Sequence, residues 1–77
     1  MKVLLVQYSE CKYWGAVKPK SEDEFFIERY EVQWISDEEA TRLGFSEIDE
    51  SGQYLILHLE NGTTKVFCNT HVDLYKL

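Results

Sequence analysis

Long apolar runs are missing from this chain. The longest, Val3-Leu4-Leu5-Val6 and Tyr54-Leu55-Ile56-Leu57, fall far short of the roughly 18 residues that a membrane span requires. The first of them is also too short for an export signal. A cytoplasmic location with no membrane partner is therefore expected. Glycine and proline are scarce, four and one in 77 residues, which excludes collagen-like and linker-like sequences. The glycines are scattered, and none forms a loop able to cradle a phosphate. Two cysteines, Cys11 and Cys68, are too few for a disulfide scaffold and are expected to stay reduced. Asn61-Gly62-Thr63 matches a glycosylation sequon, but a tight turn is the expected use of Asn-Gly here.

Basic residues are also few. Eight Lys and Arg face 14 Asp and Glu, for a net charge of -6. Such a field repels polyanions, so direct nucleic-acid binding is not expected. The acidity is concentrated: residues 21–50 hold eleven of the acids and only two Arg, while residues 1–20 carry four Lys and one Glu.

What is present is 44% hydrophobic and 14% aromatic content, enough for one folded domain over residues 1–77. A chain this short buries only about 60% of its unfolded surface, so modest stability is expected. Lys2 to Tyr8 reads as a strand. Gly15 and Pro19 mark turns, and Tyr13, Trp14 and Val17 beside them form a candidate short strand. Ser21 and Glu24 have capping-box spacing, which would start a helix carrying Phe26, Ile27, Tyr30 and Trp34 on one face. Against that, Tyr30-Glu31-Val32-Gln33-Trp34 alternates strictly, and a strand over about 26–35 is the preferred reading.

Ser36 and Glu39 form a second capping box. Asp37, Glu38 and Glu39 suit the positive end of a short helix, Arg42 suits its negative end, and Gly44 suits its closure. Ile35 is placed to staple onto Ala40. Asp49-Glu50-Ser51-Gly52 reads as a turn. Two strand-like runs, 54–60 and 63–69, flank Asn61-Gly62. A two-residue type I′ turn there would set 58 opposite 65 and 56 opposite 67. Leu55, Leu57, Leu59, Thr64, Val66 and Cys68 would then form the core face. Tyr54, Ile56, His58, Lys65 and Phe67 would form the other. Asn69-Thr70-His71 breaks the run before a last strand from Val72.

The fold class that follows is α+β, mainly β: a small antiparallel sheet, or a partly open barrel of about five strands, with one short helix. The hairpin, the break at residues 69–71 and the terminal Val72-Asp73-Leu74 strand resemble the ending of SH3-type barrels in architecture. No family motif accompanies that likeness.

Candidate chemistry is thin. Cys68 and His71 have C-x-x-H spacing, half of a zinc site, but the second pair is missing. No spacing sets a Cys/His dyad beside an orienting group, and neither acidic cluster has the ligand ladder of a calcium loop. A non-enzymatic module without cofactor or metal is expected, binding a protein partner or a second copy of itself. Aromatic side chains are the favoured contact residues, namely Tyr13, Trp14, Tyr30 and Tyr54. An alternative use of segment 21–50 is imitation of nucleic acid, with Glu22, Asp23, Glu24, Asp37, Glu38 and Glu39 occupying the cleft of a DNA- or RNA-binding protein.

Overall fold

A computed structural model describes residues 1–42 and 52–77, apart from the side chains of Asp37 and Ala40. Five strands are present: β1 (Lys2–Tyr8), β2 (Pro19–Trp34), β3 (Gln53–Leu59), β4 (Thr64–Cys68) and β5 (Val72–Lys76). A short helix, α1 (Asp37–Arg42), follows β2, and a 3-10 turn at Asn69–His71 separates β4 from β5. The strands form one open antiparallel sheet in the order β4-β3-β2-β1-β5. The chain is thus mainly β.

Strand β2 organises the sheet. Its first half, Pro19 to Phe26, pairs with β1, and its second half, Ile27 to Trp34, pairs with β3. A bulge between Ile27 and Arg29 marks the change of partner. An extra residue bends a strand and increases its twist, so β2 bends where it changes partner. Pro19 stands at the strand's first position, where a missing N–H is tolerated. The Ser21-to-Glu24 run is strand rather than capped helix. Glu22, Asp23 and Glu24 are all exposed, so their charge does not oppose extension.

The main core gathers residues from four strands: Val3 and Leu5 of β1, Ile27 of β2, Leu55 and Leu57 of β3, and Val72 of β5. Phe25, Leu59, Phe67 and Leu74 pack around them. A second cluster, Tyr54 with Cys68, gathers Ile35 and Val66. Strand β3 is therefore buried on both faces from Tyr54 to Leu57.

Three sequence expectations are corrected. Tyr13, Trp14 and Val17 lie in the irregular loop between β1 and β2, not in a strand. Tyr54 is fully buried, not exposed as its place among the contact residues assumes. The hairpin register differs by one residue: His58 faces Thr64 and Ile56 faces Val66. The loop is Glu60-Asn61-Gly62, closed by Gly62 N–H donating to Leu59 O (3.0 Å) and Leu59 N–H donating to Thr63 O (2.9 Å). Within this loop Gly62 alone has positive φ (+89°). A type I′ turn needs it at both central residues, whereas a three-residue loop needs it at the glycine alone. Asn61 instead accepts hydrogen bonds from Thr63 N (3.0 Å) and Oγ1 (2.7 Å). The slip moves Val66 and Cys68 to the face of Tyr54, and Phe67 to the main core.

At α1, Glu39 N–H donates to Ser36 Oγ (3.2 Å), the N-cap half of a capping box, and Arg42 lies 3.7 Å from Glu39. The expected staple to Ala40, closure at Gly44 and turn at residues 49–51 lie outside the described residues.

Candidate interaction surface

The end of β2 carries the most distinctive surface. Cross-strand partners share a face, so Tyr30 opposite Leu57 and Val32 opposite Leu55 place Tyr30, Val32 and Trp34 on the core face of β3. Yet Tyr30 is 45%, Val32 47% and Trp34 70% exposed. Beyond Phe26, β2 has outrun β1. The last contacts are at Met1, whose carbonyl accepts from Ile27 N–H (2.8 Å) and whose amino group donates to Ile27 O (3.0 Å).

The backbone of this segment is also open. Ile35 N–H donates to Gly52 O (3.2 Å), across the β2–β3 ladder. Antiparallel hydrogen bonding alternates, so Gln33, Glu31 and Arg29 turn toward β3. Tyr30, Val32 and Trp34 turn their N–H and C=O groups the other way. Among the described residues, no strand pairs with that side. The ring of Trp34 rests near Gly52, where an added Cβ would approach it to 3.5 Å.

The opposite face of the segment is polar. Glu31 accepts from Arg29 Nη1 (2.8 Å) and Gln33 Nε2 (2.8 Å), and His58 Nε2 lies 3.5 Å away. The Arg29 hydrogen bond is the main reason that the Glu31 carboxyl sits below its usual range; burial opposes it, and His58 adds to it.

Tyr13 and Trp14 lie apart from this segment, in the loop between β1 and β2. They are 72% and 73% exposed. Lys12 fastens that loop: its Nζ donates to Asp73 Oδ1 (3.0 Å) and Val72 O (2.8 Å), and its N–H donates to Thr70 O (2.8 Å). Lys12 Nζ also stands 5.4 Å from the Tyr13 ring. Tyr8 Oη donates to Asp73 Oδ2 (2.8 Å). That bond, with burial and the carboxylate charge, pushes Tyr8 up to about 12. Burial pushes Asp73 up, but the hydrogen bonds from Tyr8 and Lys12 outweigh it and leave the carboxyl below its usual range.

Strand alternation splits the first acidic cluster. Glu22 and Glu24 lie opposite Val6 and Leu4, while Asp23 lies opposite the core residue Leu5, on the other face. Glu24 lies 3.4 Å from Lys2. Glu38 and Glu39 are exposed on α1. Cys68 and His71 line one open cavity of about 160 Å³ between β1 and the 3-10 turn, together with Tyr8 and Lys20. Among the described residues, no three His, Cys, Asp or Glu side chains gather at metal-binding range, and no helix is long and apolar enough to cross a membrane.

Val32 and Trp34 are the surface residues that sequence reasoning passed over. Their signal was the period-two alternation itself, which reads equally as a buried face. No family model matches this chain, nor does any curated protein or solved structure.

Proposed function

We propose that this chain is a non-enzymatic protein-interaction module that binds by strand addition along the end of β2. The observation that carries this reading is the coincidence, over Tyr30 to Trp34, of an unpaired backbone edge with an exposed apolar row. Backbone groups on such an edge supply affinity, and alternate side chains supply selectivity. Natural edges are usually blunted by lysine, proline or a covering element. Among the described residues this one has no lysine, proline or covering strand; its protections are the bulge between Ile27 and Arg29 and the charged Arg29 and Glu31, and it presents an aromatic at each end of its row. For the architecture we propose a partly open SH3-type barrel. The bent β2 shared between two half-sheets and the 3-10 turn before the last strand support it.

The test is affinity capture from source lysate with the wild-type chain and with Val32→Lys, at low and high salt. The reading expects proteins held at high salt by the wild type and lost by the variant. Equal capture by both would overturn it. Charge reversal at Glu22, Asp23 and Glu24 serves as the comparison, since capture through carboxylates would collapse with salt and with that reversal instead.

A further inference from the structure

The edge of β2 has a composition that selects its own occupant. Its inward row is Tyr30, Val32 and Trp34. Its outward row is Arg29, Glu31 and Gln33, with Arg29 and Glu31 already paired at 2.8 Å. The segment is thus close to neutral, although the chain as a whole carries -6. A strongly basic or acidic strand gains nothing here. A strand with one apolar row and one neutral polar row fits, and segment 29–34 is itself such a strand.

Two-fold antiparallel pairing of this edge has few registers. Tyr30, Val32 and Trp34 turn their backbone groups outward, so these residues must face one another. Centring the pair on Glu31 sets Glu31 against its copy, and like charges directly opposite are destabilising. Centring it on Tyr30 brings Trp34 against Phe26, where β1 already occupies the edge. Centring it on Val32 avoids both. Val32 then meets Val32 of the second copy, each Tyr30 meets a Trp34, and each Glu31 meets a Gln33, an acceptor against a donor. Aromatic cross-strand pairs are among the favourable ones.

We propose that the chain self-associates as a two-fold dimer through β2, in the register centred on Val32. The proposal rests on the reading of this edge as the interaction surface. Five cross-strand pairs make a small interface, so the dimer is weak, with a dissociation constant on the order of 10–100 μM.

Sedimentation of the purified full chain from about 1 μM to about 1 mM brackets that range. The expected result is a monomer–dimer equilibrium. Val32→Lys, which sets two ammonium groups face to face, should weaken it at least tenfold, and Trp34→Ala should weaken it as well. Both sites are exposed, and circular dichroism checks that each variant is folded. A wild-type chain monomeric throughout overturns the proposal, as does a folded Val32→Lys and a folded Trp34→Ala that dimerise like the wild type. If the chain is monomeric while Val32→Lys still loses captured protein from lysate, the second copy is the wrong occupant and the edge remains the interaction surface. If capture is also unchanged, the surface itself is wrong.

Discussion

Tyr30 and Leu57 stand directly opposite each other and share one face of the sheet, yet Leu57 is fully buried and Tyr30 is 45% exposed. The difference comes from what lies beyond each strand. Leu57 belongs to the core cluster that also holds Val3, Leu5 and Ile27. Tyr30 lies on the stretch of β2 beyond its pairing with β1, where no strand among the described residues covers it. Leu57→Ala should therefore cost about 2–5 kcal/mol, the usual range for a core leucine. Tyr30→Ala should stay within about 0.5 kcal/mol. Urea denaturation of the two variants checks the contrast.

Tyr54 and Trp14 should separate in the same way. Tyr54 is fully buried beside Cys68, whereas Trp14 is exposed in a loop. Tyr54→Ala should cost about 3 kcal/mol or more, a large part of the stability of so small a domain. Trp14→Ala should leave the melting temperature nearly unchanged. Thermal melts of both variants decide this, and a tolerated Tyr54→Ala would contradict the buried placement.

The Tyr8–Asp73–Lys12 cluster should make stability depend on pH at both extremes. Asp73 titrates below its unfolded value of 3.8 in the fold. Its contribution is complete above that pH and is lost as pH falls through the folded value, because the unfolded chain then takes up the proton first. Tyr8 titrates above its unfolded value of 10.0, at about 12. Its contribution is complete below pH 10 and is lost as pH rises toward 12, because the native state keeps the proton longer. Denaturation midpoints across pH should fall at both ends. Tyr8→Phe should flatten the alkaline fall, and Asp73→Asn should flatten the acid one.

The hairpin loop should depend on Gly62 more than on Asn61. Gly62 holds φ at +89°, which an L side chain adopts only with strain. Gly62→Ala should cost about 1–2 kcal/mol. Asn61→Ala loses two local hydrogen bonds on an exposed loop and should cost about 0.5–1 kcal/mol. Equal costs, read from denaturation midpoints, would argue for a turn with positive φ at both positions.

Much of this fold is legible in the sequence. The first strand, the N-cap bond at Ser36, the break after Cys68 and the last strand all follow from local patterns. The hairpin register does not. Tyr54 to Leu57 is apolar at every position because β3 is buried on both faces, so alternation has no polar residue to mark a face. The register then hangs on the turn alone, and Asn-Gly serves two loop types that differ by one residue. The extent of β2 is hidden for the opposite reason. Glu22, Asp23 and Glu24 are exposed on both faces of an extended strand, and a run of charge does not announce β structure. The proposed interaction surface is half legible: Tyr30, Val32 and Trp34 alternate plainly, but only the pairing of β1 with the first half of β2 shows that no described strand covers this row.

Amide hydrogen exchange of the dilute chain, resolved by residue, tests the central claim most directly. The account predicts fast exchange at Tyr30, Val32 and Trp34, whose N–H groups face the open edge, and protection at Glu31, Gln33 and Ile35, which bond toward β3. Raising the chain concentration should protect the first three and leave the others as they were. Protection at Tyr30, Val32 and Trp34 already present at high dilution would mean that the edge is covered within the single chain, and would contradict the account.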